Sequence, residues 1–156
     1  MQNFLVPLDG SPLAEQALPY AKERALRLDG TVFLVRVVTT SRQLIASSMA
    51  GYGGMEVVTA VDVEAIDRAI ELETKDASDY LAQQSQRLQN EGLRVEWEVR
   101  QGIPADEIIE CAKAHNIDVI VITTHGRSGL GRLVFGSVCD RVIRVGGIPV
   151  LVINPK

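Results

Sequence analysis

The stretch Val119-Ile-Val-Ile-Thr-Thr-His-Gly-Arg-Ser-Gly-Leu-Gly-Arg-Leu-Val-Phe-Gly-Ser137 decides the fold. It opens on a near-continuous apolar run, Val119–Ile122, of the kind found in strands covered on both faces of a parallel sheet. Gly126, Gly129 and Gly131 then let the backbone bend sharply and approach a ligand with no Cβ in the way. Successive N–H groups in such a turn form an anion nest, and a helix that follows adds the positive end of its dipole. The spacing of Val134, Val138, Val142 and Val145 predicts that helix over Leu133–Val145, with Gly136 and Ser137 in its first turns. Buried strand, glycine-rich turn, Arg127 and helix in that order favour binding of a polyphosphate. The run is not a P-loop, since no Gly-Lys-Ser/Thr follows. Nor is it the dinucleotide fingerprint, which follows a first strand.

Four more apolar runs lie outward from this segment: Asn3–Leu8, Val32–Val38, Val95–Val99 and Val150–Ile153. Val95-Glu-Trp-Glu-Val99 alternates apolar and charged residues, which predicts a strand at the sheet edge with one solvated face. Trp97 on it reads as core or edge packing, not as a binding platform. Helical patterns separate the runs. Ser11–Leu28 opens on a Ser-Pro pair and carries Ala14, Ala17, Leu18, Ala21 and Ala25 as its apolar stripe, with a bend expected at Pro19. Val63–Asn90 bears Ile66, Ile70, Ala77, Leu81 and Leu88 on one side and stops at Gly92. Pro104–His115 turns Ile108, Ile109 and Ala112 inward, and His115 near its end suits the dipole there. Alternation of strand and helix is the pattern of an α/β chain with a parallel sheet and right-handed crossovers. Only Ser41–Ala60, rich in Ser, Gly, Met and Ala, lacks periodicity; it reads as a mobile loop, part of which orders over a ligand in one reading.

The chain has 156 residues, the size of one domain, with 46% hydrophobic and 23% charged residues. A net charge of −4 gives no support for a nucleic-acid or anionic-membrane partner. The basic residues are scattered, with only Arg127, Arg132, Arg141 and Arg144 close together. No apolar run approaches the roughly 20 residues that span a bilayer, and the N-terminus lacks the parts of a signal peptide. Cys111 and Cys139 fall in predicted helices without paired spacing, which predicts a reduced, cytoplasmic setting. Two histidines, His115 and His125, and no clustered ligands argue against a structural zinc site, so no metal ligand is assigned.

In open α/β sheets, ligands bind beyond the carboxyl ends of the strands, where strand order reverses. Pro7-Leu-Asp9-Gly10-Ser11, Val37-Val38 and the Thr123–Gly131 turn all fall at such ends. A lone carboxylate there, Asp9, suits a ribose diol; the competing reading has it cap the helix that Ser11 begins. Cys139 stands close to a helix N-terminus, where a thiol pKa is lowered, but a small buried residue facing the sheet is the preferred reading. No lysine lies in the glycine-rich turn and no carboxylate beside it. Sites that hydrolyse ATP need a positioned base and a group that stabilises the transferring phosphoryl, so binding with little or no turnover is expected and no catalytic residue is assigned.

With these residues in view, the chain resembles the universal stress proteins over nearly its whole length, from Val6-Pro-Leu-Asp9-Gly-Ser11 to Pro149-Val-Leu-Val152. ATP-binding members carry Gly-x2-Gly-x9-Gly-Ser/Thr at the place of Thr123–Ser137. Gly126, Gly136 and Ser137 fit that spacing, whereas Thr123 stands where the first glycine would be. A β-branched threonine narrows the approach of a nucleotide to the strand end, and its hydroxyl is able to donate a hydrogen bond. ADP and AMP are therefore open alternatives to ATP, with Mg²⁺ a companion of a triphosphate. The resemblance implies an open five-stranded parallel sheet, Rossmann-like and of the adenine nucleotide alpha hydrolase type, with helices on both faces and strand order 3-2-1-4-5. It implies that Pro7, Leu8 and Asp9 lie beside the adenosine, Asp9 on the ribose, and that the Val37 backbone meets the adenine. Thr123, His125 (as a hydrogen-bonding strut), Gly126, Arg127, Ser128 and Gly129 make up the phosphate-holding turn, joined by Gly136, Ser137, Val138 and Cys139. It further implies a homodimer through the final strand, 149–153, and a stress-response regulatory role. Two rivals stay open: a slow ATPase or adenylyl- or pyrophosphate-chemistry enzyme on the same scaffold, and a dimerising interaction protein that needs no nucleotide.

Overall fold

The structure, a computed structural model, describes residues 2–39, 63–124 and 136–155. Five strands form one parallel sheet: β1 Asn3–Pro7, β2 Thr31–Val38, β3 Arg94–Gln101, β4 Val119–Thr123 and β5 Val150–Ile153. Their order is β3-β2-β1-β4-β5, with every pairing parallel. The helices are α1 Pro12–Glu15, α2 Leu18–Leu28, α3 Val63–Asn90, α4 Pro104–Ala114 and α5 Ser137–Val145. β1 pairs β2 on one side and β4 on the other. Chain direction across the sheet thus reverses between β1 and β4, which is where such sheets bind ligands.

Because side chains alternate across a strand, each buried strand feeds two cores. Phe4, Val6, Val32, Leu34 and Val121 join Leu18, Ala21 and Ala25 of α2 and Leu81 and Leu88 of α3 on one face. Leu5, Phe33, Val35 and Ile120 meet Ile108, Ile109 and Ala112 of α4 and Val142 of α5 on the other. β3 lies at the edge, as its alternating pattern predicts, and Trp97 is 40% exposed there. It packs at the edge and not in the core. The edge position needs only one apolar face, which Val95 supplies.

Four expectations need correction. The single bent helix over Ser11–Leu28 is two helices, α1 and α2, separated at Gln16 and Ala17. Pro19 falls in the first turn of α2, where its missing N–H has no helical partner to lose. Proline therefore starts a helix here instead of bending one. The last helix begins at Ser137, not Leu133, because Gly136 is its N-cap with extended angles of φ −61°, ψ 158°; 133–135 lie outside the described residues. The inward stripe of α5 is Cys139 and Val142, while Val145, expected to continue it, is 63% exposed. On α3, Ala77, Leu81 and Leu88 are buried as expected, but Ile66 and Ile70 reach only half-burial near its start. No helix among the described residues is long and apolar enough to cross a membrane.

Candidate functional site

A cleft of about 290 Å³ opens at the carboxyl ends of β1, β2 and β4, at the lower end of the range for small-molecule sites. Pro7, Leu8 and Asp9 form one wall, Val35 and Val37 the floor, and Ile122 and Thr123 the opposite strand end. The start of α5 closes the far side with Gly136, Ser137, Val138 and Cys139, and Leu13, Ala14, Pro104 and Ile108 complete the rim. Every expected ligand residue within the described part of the chain therefore borders one cleft. His125, Gly126, Arg127, Ser128 and Gly129 lie outside the described residues, as does Ser41–Ala60.

The β1–α1 turn is built by its own side chains. Asp9 Oδ1 accepts the Ser11 N–H at 2.9 Å, and Ser11 Oγ accepts the Ala14 N–H at 3.1 Å. Ser11 is thus the helix cap, as its Ser-Pro context predicts. Asp9 does not cap α1; it braces the turn from two residues before the cap and is exposed at the cleft. Gly10 has φ +86°, a conformation that favours glycine. A methyl group there would also stand 3.2 Å from Arg36 Nη1, so Arg36 lies against this turn. Its guanidinium rests 5.4 Å over the Tyr80 ring, and Tyr80 Oη donates to Glu15 Oε1 at 2.8 Å. Burial, reinforced by that bond to a carboxylate, pushes the Tyr80 hydroxyl above its ordinary pKa. Sequence reading had not singled out Arg36, although one charge inside the apolar run Leu34-Val-Arg36-Val-Val38 was the available signal.

Thr123 is 8% exposed, and its Oγ1 has no hydrogen-bond partner among the described residues. Cys139 is buried, and that burial, with the charge of Asp140 beside it, raises the thiol pKa. The helix N-terminus does not win there, and the thiol packs as a small apolar group. Asp9 is the single charged side chain among the described residues that line the cleft. Arg141 and Arg144, grouped in sequence with Arg127 and Arg132, instead pair with Asp106 and Asp140.

The expectation that no potential metal ligands cluster is contradicted away from the cleft. Cys111 of α4 and His115, the residue that follows the helix, meet Glu98 of β3 with their ligand atoms within 4.8 Å of one another. That i, i+4 spacing was the sequence signal. The group is bonded internally: His115 Nε2 lies 3.4 Å from Glu98 Oε2, and Arg100 donates to Glu98 Oε1 at 2.9 Å and to Glu107 at 2.8 Å. Burial opposes ionisation of Glu98, but hydrogen bonds from Arg100, Cys111 and His115 outweigh it and hold its pKa low. Burial pushes the Cys111 thiol up to about 12. A protonated thiol and a guanidinium on the same carboxylate make this a charge-paired network that locks the edge strand to α4. His115 is also the C-cap residue of α4, its ring 4.9 Å from that of Phe33.

A family model described as the universal stress protein family matches residues 1–154. The chain belongs to the universal stress protein family. It is 30% identical to universal stress protein MJ0531 of Methanocaldococcus jannaschii, over 99% of this chain and 84% of that protein. The solved structure of MJ0577, from the same organism, superposes with a TM-score of 0.77 at 26% identity, covering 99% of this chain and 96% of the other. The universal stress protein from Archaeoglobus fulgidus in complex with dAMP has the same fold, with a TM-score of 0.66 at 21% identity over 99% and 98% of the two chains.

Proposed function

We propose that the chain binds an adenine nucleotide in the cleft at the β1/β4 switch point and serves as a stress-response regulatory protein with little or no turnover. One observation carries this reading. Segments far apart in sequence (Pro7–Asp9, Val37, Thr123 and Gly136–Cys139) border a single cleft that is apolar on its floor and ends at a helix N-terminus. An apolar floor suits an adenine, the carboxylate of Asp9 suits a ribose diol, and a helix N-terminus suits phosphate. The dAMP complex of a protein with this fold supports the choice of an adenine nucleotide. On the sequence reading, residues 125–129 supply the rest of the phosphate contacts, and ATP, with or without Mg²⁺, is the first candidate before ADP and AMP. A slow ATPase has less support, since the described lining offers one carboxylate and no lysine to aid a phosphoryl transfer.

We also propose that two copies pair through 149–153. β5 is one of the sheet's two outer strands, and Val150, Leu151 and Val152 stay half-buried on it. Such an edge ordinarily needs cover.

Calorimetric titration with ATP, ADP and AMP, each with and without Mg²⁺, tests the main reading. Saturable binding of at least one is expected, with no sustained phosphate release from ATP. Absence of binding to all three by folded protein would leave the nucleotide-independent interaction protein as the better account. Steady phosphate release would favour the enzyme.

A further inference from the structure

Among the described residues, one group of three side chains brings sulfur, nitrogen and oxygen ligand atoms together: Cys111, His115 and Glu98, all within 4.8 Å of one another. None of the three lines the nucleotide cleft, whose α4 residues are Pro104 and Ile108. Local structure fixes their approach. Glu98 is held in register with Val35 of β2. Because side chains alternate along a strand, Glu98 and Arg100 project from one face of β3. That face looks onto α4, since Arg100 bonds Glu107 of that helix at 2.8 Å. The His115 N–H donates to the Cys111 carbonyl at 3.1 Å, and residues four apart joined in this way share one side of the helix.

The distances suit a metal ion. His115 Nε2 and Glu98 Oε2 stand 3.4 Å apart, long for an N–H···O hydrogen bond. Two bonds of about 2.1 Å meeting at the tetrahedral angle hold nitrogen and oxygen about 3.4 Å apart. Arg100 donates to the other oxygen, Oε1, at 2.9 Å, which leaves Oε2 on the His115 side. Carboxylates oriented by such a bond are the usual metal ligands. The charges agree. A thiolate and a carboxylate neutralise a divalent cation, while Arg100 and Glu107 neutralise each other. The His115 and Glu98 side chains are 32% and 34% exposed, whereas Cys111 is buried. Water therefore reaches the group from one side only.

We infer that Glu98, Cys111 and His115 form a binding site for one divalent cation of borderline softness, of which Zn²⁺ is the type. The ion takes Cys111 Sγ, His115 Nε2 and Glu98 Oε2, with water as the fourth ligand on the open side. As the sulfur–metal bond forms, the thiol proton leaves to solvent. Mg²⁺ and Ca²⁺ are disfavoured, because they need several oxygen ligands and this group offers sulfur, nitrogen and one carboxylate. Without the ion the thiol keeps its proton and the group is a charge-paired network. With it, β3 and α4 are joined through the metal, and the folded state gains stability by mass action.

The test uses the full chain stripped of metal by a chelator, titrated with Co²⁺ as a spectroscopic stand-in and with Zn²⁺ in competition with a chromophoric chelator. Wild type should take up one Co²⁺ per chain, with a thiolate-to-cobalt charge-transfer band and the intense visible bands of four-coordinate cobalt. Zn²⁺ should displace Co²⁺ and raise the melting temperature, and Mg²⁺ should do neither. Cys111→Ser should abolish the charge-transfer band. His115→Gln and Glu98→Gln should each weaken Zn²⁺ by about 100-fold or more, beyond the loss expected for a group that only supports a ligand. These two alter half-exposed side chains, so they keep the test decisive even if Cys111→Ser folds poorly. No charge-transfer band from wild type, a band that persists in Cys111→Ser, or unchanged Zn²⁺ affinity in both glutamine variants overturns the inference.

Discussion

A methyl group on Gly30 would stand 2.3 Å from the Gln2 carbonyl oxygen and 3.0 Å from the Phe4 ring. Neither neighbour can give way. The Gln2 carbonyl accepts the Thr31 N–H at 3.0 Å, and the Gly30 N–H itself donates to the Ala25 carbonyl at 2.8 Å, which joins the end of α2 to the start of β2. Gly30→Ala is therefore expected to cost about 2–3 kcal/mol, the cost of overpacking a rigid site, read as a lower urea midpoint with an unchanged slope. Stability equal to wild type would show that the α2–β2 joint has room to move. Gly92 makes a useful contrast, since nothing lies within 4 Å of its would-be Cβ and only its φ of +88° speaks for glycine. Composition alone does not separate two such glycines; their neighbours arrive from distant parts of the chain. Cys139 is the contrary case, since its burial was the preferred reading of the sequence and it is buried.

At the scale of elements, α1 is the weakest piece that the cleft depends on. It has four residues, no buried side chain and a cap, Ser11, that satisfies the Ala14 N–H. Helices this short cannot nucleate themselves, so the cap and the bond from Tyr80 to Glu15 hold it in place. Ser11→Ala should cost about 1 kcal/mol, measured by denaturant unfolding. Because Ser11, Leu13 and Ala14 line the cleft, it should also weaken nucleotide binding, whereas loss of stability with unchanged affinity would detach α1 from the site. The Ser-Pro signal for this cap was readable from sequence, and so were all five strands. The break between α1 and α2 was less so, because Ala17, Leu18, Ala21 and Ala25 continue one apolar stripe across it. The rule that proline bends a helix hid the alternative that Pro19 begins one. At α5 the valine spacing ran back past Gly136, and only the extended angles at that residue show where the helix starts.

For the whole molecule, the parallel strands and a cleft at their carboxyl ends followed from apolar runs and strand ends, and the sheet order from the family resemblance; topology gathers those ends where β1 meets β4. What the sequence hid is polar and crosses between elements: Arg36 over Tyr80, and Glu98 with Cys111 and His115. The i, i+4 spacing records Cys111 with His115, but no local period records the partner that each group takes from another element. The second of them governs how stability varies with pH. Glu98 is held below its ordinary value of 4.5 by Arg100, Cys111 and His115 against the effect of burial, and Glu91 is lowered by its bond from Lys22. A lowered carboxylate pKa favours the folded state above the ordinary value, and that contribution is lost as pH falls through the folded one. Cys111 acts at the other end. Its thiol titrates near 12 in the folded state against an ordinary 9.0, so between those values the unfolded chain binds fewer protons and stability declines as pH rises. The melting temperature should thus be highest between about pH 5 and pH 9 and fall on both sides. Cys111→Ser, which removes the titrating thiol and keeps a donor for Glu98, should melt lower than wild type at pH 7 yet lose less between pH 9 and pH 11, with Cys139 left to account for part of the remaining slope. Parallel alkaline slopes for the two proteins would mean that the Cys111 thiol ionises in the folded state as readily as in the unfolded chain. The Glu98 network would then be open to water and would not lock β3 to α4.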